Sequence, residues 1–168
     1  AQAAWSADAQ QLLAMCLAAS GESEVAAATF ERALALAPGH PTILSNYALA
    51  LRRSGRAWAA LEMSRRAAAA APSSKAFVDL AVAAQAAGAH GEALAASGRA
   101  LAARPDSQAA MLCVGNAARM TEDLARADEA YRGILRQQPA HRQAWLGLGD
   151  AQRRAGRPDL ALATLERA

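Results

Sequence analysis

The residues able to do chemistry are few and poorly placed for it. His40 and His141 stand two residues after Pro38 and Pro139, about a hundred positions apart, and His90 stands alone. The two matching histidines are equivalent loop residues of a repeated pattern and not a metal pair. Cys16 and Cys113 form neither a CxxC pair nor a disulfide framework. Each has apolar neighbours in a helical stretch, which predicts a buried, inert thiol. The segment "GLGDAQ" at 147–152 begins like a dinucleotide fingerprint. Gln152 takes the place of the third glycine, however, and no strand precedes it. No pair of carboxylates stands apart from the scattered surface acids, and the serines fall mostly at helix starts, where capping accounts for them. No catalytic, cofactor-binding or metal-binding residue is therefore assigned, and the chain is read as a non-enzyme.

Two phrases point to a different kind of function. "LRRSGR" at 51–56 returns as "QRRAGR" at 152–157. Pro38, Pro72, Pro105 and Pro139 are spaced by 34, 33 and 34 residues, and Gly21, Gly55, Gly88 and Gly156 keep the same beat. Proline cannot continue a helix, and it biases the residue before it toward an extended form. Each period then holds two helical segments, a short glycine turn and a proline stop. Apolar residues recur at intervals of three and four, as in Leu44, Tyr47, Ala48 and Leu51, or Phe77, Leu80, Ala81 and Ala84. The pattern predicts ten helices at 7–20, 23–36, 41–54, 57–70, 75–87, 91–103, 108–120, 124–137, 142–155 and 158–168. The twin phrases are then the same part of two units: the end of a first helix and its turn. The glycine ends the helix with a positive φ, and the arginines sit in the last turn, where the helix dipole favours positive charge. A basic ridge facing a ligand is the other reading. The fourth unit has Glu122-Asp123 in place of its glycine and is expected to build its turn differently.

Composition agrees with close-packed helices. Of the 168 residues, 54% are hydrophobic and only 4% aromatic, and alanine alone makes up roughly 30%, well above ordinary usage. Alanine is the best helix former and adds little bulk. The net charge of +3 has its acids spread among the basics, which argues against nucleic acid as a partner. No apolar run approaches the length of a membrane span, so direct membrane insertion is not expected. No signal peptide opens the sequence, and a cytoplasmic location is expected, with the periplasm as the alternative. Every basic residue except Lys75 is arginine. With the alanine content this suggests a GC-rich, bacterial genome.

The 34-residue period resembles the tetratricopeptide repeat (TPR) family. Trp145, Leu148 and Gly149 follow the family phrase, although Gln152 stands where a tyrosine is expected. The alanine-x3-aromatic element of the second helix is present as Ala26 with Phe30 and Ala127 with Tyr131. It is shrunken to Ala60 with Ser64 and Ala93 with Ser97. The small slot of the first helix holds Ala14, Ala48, Ala81, Gly115 and Gly149. The resemblance implies an all-α, right-handed superhelical solenoid of about five helical hairpins. It forms a single array over 1–168, with repeats at 7–40, 41–73, 74–107, 108–141 and a truncated 142–168. No polar capping helix closes the array, so the natural protein is expected to continue past Ala168.

The resemblance also implies a function. First helices of the family line a concave face that holds a peptide or helix of a partner protein. Carried over by position, that face comprises Gln11, Met15, Asn46, Leu49, Lys75, Asp79, Val82, Leu112, Asn116, Arg119, Leu146, Asp150 and Arg153. Asn46 and Asn116 stand out, because asparagine is a mediocre mid-helix residue unless its amide bonds something. Each is read either as bonding a ligand's backbone or as a solvated or inter-repeat polar residue. A family subclass clamps a C-terminal carboxylate with lysine, asparagine, asparagine, lysine and arginine. Here the places hold Gln11, Met15, Asn46, Lys75 and Asp79, and the last would repel a carboxylate. The alternatives are a substrate-presenting region of a larger enzyme, such as an O-linked glycosyltransferase or sulfotransferase, and an assembly factor of a bacterial envelope or secretion apparatus.

Overall fold

A computed structural model of the chain describes residues 6–167. Ten helices follow one another: α1 (Ala7–Ala19), α2 (Ser23–Leu36), α3 (Pro41–Arg53), α4 (Ala57–Ala70), α5 (Ser74–Ala86), α6 (His90–Ala103), α7 (Gln108–Met120), α8 (Leu124–Gln137), α9 (Arg142–Arg154) and α10 (Pro158–Leu165). Predicted and observed ends agree to within about one residue, except that α10 stops three residues early, at Leu165. Ser6, Ser73 and Ser107 cap their helices, accepting from the amides of Ala9, Ala76 and Ala110. His141 does the same for α9 through Nδ1, which gives that histidine a structural task.

Contacts run strictly in sequence order. Each helix packs on the next, and the odd-numbered helices also touch one another in turn, α1 on α3 through to α7 on α9. Among the described residues the even-numbered helices make no such contacts, and no helix reaches further along the chain. The odd helices therefore lie on the inside of a curve and the even helices on the outside. The core is correspondingly divided into three buried clusters strung along the stack. They centre on Phe30, Ile43 and Tyr47, on Leu61, Phe77 and Leu80, and on Tyr131, Ile134 and Leu148. A single hairpin cannot cover its own apolar face, so each cluster is completed by the neighbouring unit.

Two expectations are corrected. The fourth turn differs only in its cap, not in its backbone path. Glu122 adopts φ 61° where Gly21, Gly55, Gly88 and Gly156 adopt 72–88°. The next amide, that of Asp123, donates to Ala118 at 2.8 Å, just as Arg56 does to Leu51 and Arg157 to Gln152. The helix-ending motif wins over the residue's preference, because it satisfies carbonyls that would otherwise be orphaned. Asp123 then caps α8. The second correction concerns the thiols. Cys113 is buried, and burial pushes its thiol up to about 11, but Cys16 is exposed. It lies on α1, which no earlier helix covers among the described residues. No helix in the described residues is long and apolar enough to cross a membrane.

Candidate functional site

The thirteen residues assigned to the concave face all lie on α1, α3, α5, α7 and α9, the inner helices. Three hollows lie along that face and draw in most of them. Met15, Asn46 and Leu49 join Phe30 and Arg53 around a hollow of about 60 Å3. Asn46, Leu49, Lys75, Asp79 and Val82 line a second, of about 170 Å3, with Arg52 and Ser64. Leu112, Asn116, Arg119, Leu146 and Asp150 line a third, of about 270 Å3, with Gln143 and Gly147. Gln11 lines none of them, and Arg153 reaches the third only through Asp150.

Several of these side chains are already engaged. The Asn46 amide donates to the Met15 sulfur at 3.4 Å, tying α3 to α1. Asn116 Oδ1 accepts from the Tyr131 hydroxyl at 2.8 Å, so half of its amide serves the packing of the two helices of its own unit. Lys75 pairs with Asp79 at 2.6 Å along α5. Asp150 collects three arginines: Arg119 at 2.7 Å from α7, Arg153 at 2.7 Å and Arg154 at 3.2 Å. Burial alone would raise the Asp150 carboxyl. The Arg153 hydrogen bond and the charges of Arg119 and Arg154 outweigh it and hold the group below its ordinary value.

Tyr131 explains the geometry of the third hollow. It is fully buried and wedged between the inner helices. A Cβ on Gly115 would lie 2.6 Å from its ring, and one on Gly147 2.4 Å. The glycines are thus the space the ring occupies. Burial raises the Tyr131 hydroxyl, and the nearby Arg119 pulls it back only in part. Among the described residues no group of histidines, cysteines and carboxylates is arranged to hold a metal ion.

Family models described as tetratricopeptide repeat match residues 7–50 and 114–168. The chain is a TPR protein. As such it is a scaffold for protein interaction, in a family of generally non-catalytic modules. No curated protein matches this TPR chain in sequence. Solved structures do match its fold. MamA from Desulfovibrio magneticus RS-1, residues 41 to the end, superposes with a TM-score of 0.85 at 19% identity, covering 99% of this chain and 98% of that one. YrrB, described as a TPR protein with an unusual peptide-binding site, gives 0.79 at 20% identity over 95% and 82%. A TPR protein from Parabacteroides merdae ATCC 43184 gives 0.82 at 17% identity over 96% and 63%. At these identities the likeness is one of fold.

The hollows also draw in Phe30, Arg52, Arg53, Ser64, Gln143 and Gly147, which lie outside the thirteen. Ser64 belongs to a second helix and is buried; it lines the hollow because its small side chain leaves that space open. Its signal was in the sequence, as the shrunken alanine-x3-aromatic element.

Proposed function

We propose that this TPR array holds an extended peptide or a helix of a partner protein along its inner face, and that it does so without catalysis. The observation that carries the reading is the row of three hollows, each lined by side chains from two successive inner helices. Their linings mix exposed apolar groups with amides and charges. Leu49 and Leu146, 37% and 44% exposed, stand in different hollows and offer apolar area to a ligand. Such a lining suits a ligand that supplies apolar side chains and unpaired backbone groups together. The likeness to YrrB is consistent with it.

The test is selection of binders from a random peptide library, followed by affinity measurement on two variants. Leu49→Glu and Leu146→Glu place a charge in separate hollows while changing exposed positions only. Each should lower peptide affinity by about tenfold or more, because truncated or charged anchors dominate binding losses, while the circular dichroism spectrum stays unchanged. Undiminished affinity in both variants would move the ligand to the outer face or to an end of the stack.

A further inference from the structure

The hollow between α3 and α5 has the shape of a missing ring. In the joint between the fourth and fifth units, Tyr131 lies against Gly115 and Asn116 of its own unit and Gly147 of the next, with the charges of Arg119 and Asp150 near enough to act on its hydroxyl. Two units earlier, the place of Tyr131 is taken by Ser64. The equivalents of those five residues are Ala48, Leu49, Arg52, Asp79 and Val82, and all five line the 170 Å3 hollow together with Ser64. The hollow is therefore the tyrosine slot with its tenant removed and its mouth on the inner face. Phe30 shows that walls of this size admit a ring. It is fully buried at the corresponding place between the first two units, where the matching positions are Ala14 and Asn46, close in size to Ala48 and Asp79. Ser97, the other shrunken position, is fully buried and turned onto its own helix, donating to Leu94 at 3.1 Å.

We propose that the Ser64 hollow is a subsite for one aromatic side chain of the partner peptide, flanked in that peptide by acidic residues. The proposal rests on the groove reading above and adds the chemistry of the ligand. Ala48, Ala83, Leu49 and Val82 supply apolar walls. Arg52 stands at the mouth. A guanidinium over a ring is a favourable contact, and the chain already uses one, with Arg99 lying 4.1 Å from the Phe77 centroid. The charge complement follows from the pairing around the hollow. Lys75 and Asp79 neutralise each other. Arg52 and its neighbour Arg53 have no carboxylate partner among the described residues, which leaves the rim positive. The second copy of the phrase differs here, since Arg153 and Arg154 are spent on Asp150.

The experiment titrates the capped peptides Ac-Glu-Phe-Glu-NH2 and Ac-Glu-Ala-Glu-NH2 into the full chain and follows backbone amide shifts by NMR. The phenylalanine peptide should shift Ala48, Ser64 and Ala83 with a Kd of about 1 mM, as expected of a single small anchor, and the alanine peptide should bind at least about tenfold more weakly. Ser64→Leu fills the slot from within, as Leu165 does over Gly149 in the last unit. It should fold, melt no lower than the parent and abolish the phenylalanine-specific shifts. Ser64→Phe should do the same if it folds, and Ser64→Ala should leave them unchanged. Equal shifts from both peptides along α3, α5 and α7 would overturn the subsite while leaving the groove reading in place. Shifts confined to the even helices would overturn both, and phenylalanine-specific shifts that survive Ser64→Leu would overturn the subsite alone.

Discussion

Two joints of the stack solve one packing problem in opposite ways. Between the fourth and fifth units the slot is filled from inside. Tyr131 occupies the space left by Gly115 and Gly147, its hydroxyl bonds Asn116, and the Arg119–Asp150 pair crosses from α7 to α9 at 2.7 Å. Between the second and third units the same position is Ser64, the glycines are replaced by Ala48 and Asp79, and the ion pair of Asp79 stays within α5. The backbone repeat is common to both joints, so the repeat does not depend on the slot being full. The filled joint carries its stability in one large side chain; the open joint leaves that volume to a ligand. The difference is a difference in what mutation should do.

The largest effect separates the two slots directly. Tyr131→Ala empties a close-packed site and should cost about 3–5 kcal/mol, whereas Ser64→Ala borders a hollow that already exists and should stay within about 0.5 kcal/mol. Urea denaturation of both variants checks this, and equal losses would mean that the joints do not differ. Next in size is Gly147→Ala. Its Cβ would meet the Tyr131 ring at 2.4–2.8 Å, and overpacking of this kind costs about 1–3 kcal/mol. In a Tyr131→Leu background the penalty should shrink, because the clashing atoms are gone, and a double-mutant cycle reads that coupling. A penalty that persisted unchanged would place its cause in the backbone of α9.

The same pair of joints shows what was legible in the sequence. The proline and glycine beat located all ten helices, because a proline stop and a left-handed turn are local requirements of the backbone. The small slot was legible too, at Gly115 and Gly149. Gly147 was not, since nothing in its neighbourhood announces that a tyrosine sixteen residues earlier will lie across it. Ser64 was recognised as a shrunken aromatic position, but the consequence needs three helices at once, and a one-dimensional pattern does not carry it. For Asn46 and Asn116 the sequence leaves a ligand or a solvated or inter-repeat role open; Asn46 bonds Met15 of the preceding unit, whereas Asn116 bonds Tyr131 of its own hairpin, which neither alternative describes. For Cys16 the apolar neighbours in sequence do not amount to cover. On the first helix of a stack one side has no described neighbour, and the same pattern that buries Cys113 leaves Cys16 exposed.

The turns offer a sharper and smaller contrast. Glu122 holds φ 61° without being glycine, a conformation that costs a non-glycine residue about 1 kcal/mol or more. Glu122→Gly relieves this but adds freedom to the unfolded chain and removes an exposed contact with Arg154 at 3.1 Å. The net result should be a gain of about 0.5–1 kcal/mol. The reciprocal change at the open joint, Gly55→Ala at φ 78°, has open space around its Cβ and should lose about 1 kcal/mol from backbone strain alone. Thermal melting of the two variants should move in opposite directions, and a common direction would remove strain as the explanation.

The smallest effect is electrostatic and distinguishes the joints by pH. Asp150 is 30% exposed, bridges α9 to α7 through Arg119, and has its carboxyl held below the ordinary value. A carboxyl depressed in the folded state stabilises the fold above its unfolded pKa, about 3.9, and loses that contribution as pH falls through the folded value. Asp150→Asn should therefore cost under about 1 kcal/mol at pH 7, and the gap to the parent should close below about pH 4. Asp79→Asn interrupts a pair whose lysine is 81% exposed and which spans a single helix. Its cost should be a few tenths of a kcal/mol, about that of an exposed i,i+4 pair, and high salt should erase it first. Equal salt and pH responses from the two variants would show that crossing the joint gives the Arg119–Asp150 pair no advantage, and would leave Tyr131 as the feature that separates the filled joint from the open one.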